Sequence, residues 1–235
     1  MTSGLFNYSE SPAFQSALEK NPFRVWSPCE LISIGITNPP YFAPGTQFYY
    51  SNTNSIILGA CVERLFNDDF ANILCRRMLK PLKLCNTFFN ETLPEEGSLT
   101  GYVYKDGEYL PVTGWNLTGA WTAGQITSNV DDLHRYAHKS IGMHETLSDN
   151  ATRQQRKWAS TQYVDGITKR NGFHMEKFNN YLGHPGGLPG FSNFTLCNVP
   201  SKTTIVIMCN IQTTKAGITP VDAILKLVLE LFPGW

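Results

Sequence analysis

The 235-residue sequence predicts an α+β fold, and three observations carry that reading. Apolar residues recur at helical spacing in the middle of the chain, as in Ile56, Ile57, Ala60, Cys61 and Leu65. Two later runs, Phe191 to Val199 and Thr203 to Asn210, have strand composition, and Pro200-Ser201-Lys202 between them reads as a turn. A closing amphipathic stretch, about Val221 to Phe232, supplies a helix to cover the strands.

Taken in order, residues 1–50 are rich in Pro, aromatic and polar residues and read as loops with short helices. The mid-chain pattern predicts a helix from about Asn54 to Phe66. A second is expected from about Asp69 to Leu79, with Asp68 or Asp69 as its cap and Pro81 as its end. Residues 85–125 read as irregular, with turn signals such as Asp106-Gly107. Ser128-Asn129-Val130-Asp131 is a capping-box-like start, Asp standing for the usual Glu or Gln, to a helix through Leu133, Tyr136 and Ala137.

The run Ile205-Val206-Ile207-Met208 has no alternation, as expected of a strand buried on both faces. In the last helix Asp222, Lys226 and Glu230 form an i, i+4, i+8 stripe, so a single thin polar edge is expected to show. No repeat or low-complexity linker divides the chain. One domain over 1–235 is expected, mainly helical and looped to about 170 and built of strands plus the last helix over about 171–235.

Composition narrows the function classes. A hydrophobic fraction of 42% supplies a core, and a charged fraction of 16% argues against disorder and coiled coil. Nineteen basic residues balance nineteen acidic ones, which argues against a nucleic-acid binder that tracks phosphates. No stretch has the length and apolarity of a membrane span or the pattern of a signal peptide. The six cysteines include no C-x-x-C pair and mostly sit in apolar periodic segments, so free buried thiols are expected rather than a zinc site or a disulfide framework. Five N-x-S/T sequons, at Asn7, Asn90, Asn116, Asn150 and Asn193, matter only to a chain in a eukaryotic secretory pathway. His134 and His138 stand at i, i+4, but without a Glu between them or a third ligand they read as a solvated helix face, and neither a metal nor a cofactor is expected.

Two polar clusters could carry chemistry. Tyr50-Ser51-Asn52 follows Pro44-Gly45 and precedes the first mid-chain helix, while His184-Pro185-Gly186-Gly187 precedes Leu188-Pro189-Gly190-Phe191. Alone, the first is a packed Tyr with a loop Asn and the second a Gly-rich turn. Together they resemble the Tyr-x-Asn segment and the third active-site motif of the serine D-Ala-D-Ala carboxypeptidases and class C β-lactamases. Three further segments are similar to that family: the loop Thr2-Ser3-Gly4-Leu5; Lys80-Pro81-Leu82-Lys83-Leu84 through Thr87-Phe88; and Ala123-Gly124 through Ser128 to Asp132-Leu133. The resemblance covers nearly the whole chain. It implies a β-lactamase/transpeptidase-like fold, an antiparallel sheet flanked by helices beside a mainly helical region.

The resemblance also implies roles. Acyl transfer needs a nucleophile, a base, a substrate clamp and an oxyanion hole. In the family a Ser-x-x-Lys serine attacks an amide or ester, and the Lys and the motif Tyr manage its proton. Tyr50 would be that Tyr, Asn52 would hold the substrate amide and order the Lys, and His184 would supply polarity near a substrate carboxylate. Gly186 and Gly187 would shape the site, with the Gly187 N–H one oxyanion donor. The substrate would be a small molecule or peptide, such as a peptidoglycan peptide, a β-lactam or an ester, and members commonly act outside the cytoplasm.

Two departures qualify the match. No Ser or Thr has a Lys three positions on; Ser16 has Lys20 at i+4, the wrong helical offset. The family's Ser-x-x-Lys lies upstream of the Thr-Ser-Gly loop, so the chain is expected to lack the first helix, the first strands and the nucleophile helix. Pro185 stands where many members have Thr, and it offers neither the hydroxyl that binds a carboxylate nor an N–H. Ser51 has no base placed to activate it and is not expected to be a substitute nucleophile.

Overall fold

In the computed structural model, residues 1–93, 97–164 and 167–231 are described, and the chain divides into two compact units. The first comprises Met1–Pro81, Thr87–Pro94 and Gly114–Thr127; the second comprises Leu82–Asn86, Glu95–Thr113 and Ser128–Trp235.

The first unit is helical. Helices α1 (Pro12–Lys20) and α2 (Pro28–Thr37) both begin with Pro, whose missing N–H costs nothing at a helix start. A full capping box between Ser27 and Glu30 fixes the α2 start. Helix α3 (Asn52–Phe66) matches the expected mid-chain helix and begins at the candidate site residue itself. These helices bury Tyr8, Phe14, Trp26, Leu31, Ile56 and Trp121 in one aromatic-rich cluster.

The second expected helix starts where predicted but ends differently. Helix α4 (Phe70–Leu74) widens into a π-helical stretch (Cys75–Leu79) and closes as α5 (Lys80–Leu82). Pro81 therefore lies inside the helical run rather than ending it. In a regular α-helix its ring would strike the carbonyl four residues back, and the π turn, closed by Lys80 N–H to the Cys75 carbonyl, relieves that clash. Neither Asp68 nor Asp69 caps α4 in the usual way: the Phe70 N–H donates to Glu63 Oε1 of α3 at 2.8 Å.

The second unit carries a six-stranded antiparallel sheet in the order β3-β4-β5-β6-β7-β8. Its strands are β3 (Ser160–Val164), β4 (Ile167–Asn171), β5 (Glu176–Phe178), β6 (Tyr181–Leu188), β7 (Phe191–Asn198) and β8 (Thr204–Cys209). The sheet thus starts before the boundary near 171, and β1 (Tyr102–Lys105) with β2 (Glu108–Pro111) forms a hairpin on the Asp106-Gly107 turn inside the span read as irregular. Strands β7 and β8 match the two strand-like runs. Helix α6 (Val130–Tyr136) is capped by Asn129, whose side chain accepts the Asp132 N–H at 2.9 Å, and passes into a π-helical stretch (Ala137–Gly142). Helix α7 (Asp149–Gln155) follows.

The sheet has an apolar cluster on each face. Phe178, Phe194, Leu196 and Ile207 pack with Val221, Leu225 and Leu229 of α8 (Pro220–Leu231), and Leu182 and Cys197 pack with Ala137, Ile141 and Met175. Strand β8 ends the sheet and is not buried on both faces as expected: only Ile207 is buried and Met208 is exposed. Its unbroken apolar run splits by alternation, with Ile205, Ile207 and Cys209 turned to the α8 cluster. Likewise α8 buries a narrower face than expected, leaving Ile224, Leu227 and Leu231 exposed beside its polar stripe. The six cysteines are free, but only Cys197 is buried; Cys29, Cys61 and Cys85 are exposed. Helical apolar spacing marks a face without saying which face is covered, so the expectation of buried thiols fails. No helix among the described residues is long and apolar enough to cross a membrane.

Candidate active site

Tyr50, Ser51 and Asn52 lie at the start of α3, in the first unit. A helix start leaves N–H groups without partners. Here one is met from outside the helix: Asn7 Oδ1 accepts the Asn52 N–H at 3.0 Å. The Asn52 side chain is held as well, Nδ2 donating to Ser9 Oγ at 3.1 Å, and Ser9 Oγ donates in turn to Asn7 Oδ1 at 3.0 Å. That leaves Asn52 Oδ1 free of a protein partner among the described residues, an acceptor fixed in direction.

Behind this pair the network continues. Asn7 Nδ2 donates to Glu10 Oε1 at 3.0 Å, and the Tyr41 hydroxyl donates to Glu10 Oε2 at 2.6 Å while accepting the Asn7 N–H at 3.1 Å. Burial, reinforced by the bond to Glu10, pushes the Tyr41 phenol up to about 12, so it remains a donor at neutral pH. Thr53, fully buried, donates to the Phe6 carbonyl at 2.7 Å and accepts the Tyr8 N–H at 3.1 Å. Ser51 is 1% exposed and donates to the same Phe6 carbonyl, so its hydroxyl serves as a structural donor. Tyr50, by contrast, is 38% exposed.

His184, Pro185, Gly186 and Gly187 lie within β6, in the second unit. Strand β5 pairs only with Tyr181, Leu182 and Gly183, so the following part of β6 is paired with β7 alone. The two-residue turn Pro189-Gly190 makes Leu188 and Phe191 a hydrogen-bonded pair. By antiparallel alternation, residues 185 and 187 then direct their backbone groups away from β7, toward the open side. Pro185 has no N–H to lose there, which is why a proline is tolerated mid-strand. The Gly187 N–H faces the same open side as a donor.

Two glycines of β6 pack closely against β7. A Cβ on Gly183 would lie 1.9 Å from the Thr195 carbonyl oxygen, and one on Gly186 would lie 2.4 Å from Asn193 Nδ2. Gly187 has room for a side chain, its nearest neighbour being Gln212 Nε2 at 3.7 Å. The His184 ring is fixed by its Nδ1 against the Pro185 carbonyl at 2.6 Å. Asp132, 1% exposed, accepts the Asn86 N–H at 2.8 Å, which ties residues 82–86 to the 128–133 helix start within this unit.

Sequence reading missed three residues here. Asn7 and Ser9 registered only as a sequon, yet they order Asn52. His174, in the turn between β4 and β5, adopts a left-handed φ of 47° and lies near enough to His184 for their charges to oppose each other. Burial first, then His184, lowers the His174 pKa to about 4. No local pattern announces it, because only the β5–β6 pairing brings it to His184. His134 and His138 stack at 6.3 Å, and no group of three metal-ligating side chains occurs among the described residues.

Comparison with known proteins bears on the family and the fold. The family described as Beta-lactamase matches residues 1–228. The protein flp of Staphylococcus aureus is 24% identical over 180 residues, 72% of this chain and 34% of the relative. A beta-lactamase of Escherichia coli K12 is 25% identical over 151 residues, 62% of this chain and 39% of the relative. The chain therefore spans about a third of the length of the curated relatives it matches. Among solved structures, a D-stereospecific amidohydrolase from a Streptomyces species superposes with a TM-score of 0.77 at 24% identity, over 89% of this chain and 65% of the other. The D-amino acid amidase of Ochrobactrum anthropi, solved with D-phenylalanine, gives 0.81 at 19% identity, over 97% and 69%. A family match over nearly the whole length settles the assignment: the chain belongs to the beta-lactamase family.

Proposed function

We propose that the chain is the substrate-clamping part of a serine hydrolase that acts through an acyl-enzyme on an amide or ester bond. The observation that carries this is the ordered Asn52, whose side-chain oxygen is fixed by Ser9 and Asn7 and left free to accept a substrate N–H. Tyr50 handles the proton of the attacking hydroxyl, and the Gly187 N–H receives the developing oxyanion. His184 orients the polar end of the substrate, and Gly186 keeps the strand close to Asn193.

Pro185 removes the hydroxyl that would grip a free carboxylate, which favours an ester or an amide without a terminal carboxylate over penicillin or a D-Ala-D-Ala peptide. The 235 residues contain no Ser-x-x-Lys, so this stretch binds and orients but supplies no nucleophile of its own. The same observation supports a second reading, a ligand-binding relative that has given up acylation. Reading the coding sequence upstream of Met1 separates the two: a Ser-x-x-Lys in frame supports the hydrolase, and an intact frame without one supports the binder.

Binding itself is tested with D-phenylalanine amide by saturation-transfer NMR on the full chain. Asn52→Ala is expected to weaken it by about ten-fold, the loss of a hydrogen bond worth about 1.4 kcal/mol. Wild-type binding that survives both Asn52→Ala and His184→Ala unchanged contradicts the assignment.

A further inference from the structure

Away from His184, the β4–β5 end of the sheet holds an unexplained pair of like charges. Arg170 of β4 and Lys177 of β5 are directly opposite in the ladder, on one face. Directly opposed like charges destabilise a strand pair unless something neutralises them. Neither residue forms an ion pair among the described residues. The ladder's own carboxylate, Glu176, is committed to the other face, where it meets Lys169 at 3.0 Å.

The two cations open onto a concavity of about 300 Å³ lined by Thr168, Arg170, Lys177, Asn179 and Asn180. All but Asn180 are half-buried, so the charges are partly withdrawn from water. Asn179 has a left-handed φ of 51°, and its Oδ1 accepts the Thr168 N–H at 3.0 Å. With its oxygen engaged there, the amide has its Nδ2 left to give. The lining is then a ring of donors, a guanidinium, an ammonium, side-chain amides and a hydroxyl, with no acidic side chain in it.

The geometry points to a binding site for a small oxyanion, a phosphate or carboxylate group, gripped between Arg170 and Lys177 and bonded by Asn179, Asn180 and Thr168. Guanidinium and ammonium side by side suit such a group: Arg offers a planar fork and Lys a compact charge. Binding would cancel the cross-strand repulsion, so the anion would also strengthen the β4–β5 pairing. The site does not depend on the acyl-transfer reading, since it uses none of those residues.

Equilibrium dialysis of the full chain against inorganic phosphate, and separately against acetate, at fixed ionic strength tests this. Saturable binding of one ion per chain is expected for at least one of the two, and which ion binds identifies the group. Arg170→Gln is expected to weaken it at least about ten-fold, the loss of one charge-assisted hydrogen bond. Lys177→Glu places a carboxylate opposite Arg170 and should abolish binding while raising the thermal midpoint in anion-free buffer. Failure of both ions to bind the wild type, or a Lys177→Glu chain that binds within two-fold of wild type, overturns the proposal.

Discussion

The two candidate clusters, one in each unit, are built by different physics. Around Asn52 the first unit holds its polar groups with side-chain hydrogen bonds: Asn7 meets a helix-start N–H, Ser9 holds the amide, and buried Thr53 ties Phe6 and Tyr8 to α3. Around His184 the second unit uses the β-ladder, where register alone sets which groups face the open side of β6 and glycines let the strands approach. Direction is set by individual bonds in the first case and by backbone pairing in the second. Substitutions should therefore fail gradually in the first cluster and abruptly in the second.

The largest effect is expected at Gly183. Gly183→Val puts a side chain into the Thr195 carbonyl, and the neighbour is backbone that cannot turn aside. A loss of more than about 4 kcal/mol, or failure to fold, is expected in urea unfolding. A near-neutral result would mean that the ladder is looser than its register implies. Next, Thr53→Ala leaves the buried Tyr8 N–H without its acceptor and the Phe6 carbonyl with the Ser51 hydroxyl alone, at a cost of about 2 kcal/mol on the same assay. Gly186→Ala meets the movable Asn193 side chain rather than backbone, and about 1 to 3 kcal/mol is expected. Tyr50→Phe should change stability by less than about 0.5 kcal/mol, because the ring is exposed and its proposed task concerns substrate.

The second unit should also respond to pH. His174 has its pKa lowered to about 4 in the fold, below the ordinary value of 6.5. The unfolded chain then binds more protons between those values, so this contribution is fully present above pH 6.5 and is lost as pH falls toward 4. Its size is at most about 3 kcal/mol. His174→Gln should flatten the stability profile in that window, and an unchanged slope would mean that the fold does not hold His174 neutral.

Legibility in the sequence followed the same division. Helix α3, strands β7 and β8 and helix α8 announce themselves by apolar spacing, whereas the two candidate clusters are weak alone and are singled out only by the resemblance of the segments around them. Strands β3 and β5 do not: Ser160-Thr161-Gln162-Tyr163 and Glu176-Lys177-Phe178 are polar and short, and neighbouring strands rather than local pattern make them strands. The role of Asn7 in ordering Asn52 was invisible for a similar reason, since that bond joins residues far apart in the chain. The cysteines show the limit of periodicity, as Cys61 lies in an apolar helix yet is exposed. Pro81 shows the limit of a local rule, as a π turn carries the helical run through it.

The central proposal is that these 235 residues hold the clamp of a beta-lactamase-family site without its nucleophile. Incubation of the full chain with a fluorescent fluorophosphonate and a fluorescent penicillin, read by intact mass, tests it most directly. No covalent adduct is the predicted result. A stoichiometric adduct mapped to any serine of the chain, Ser51 included, would contradict it.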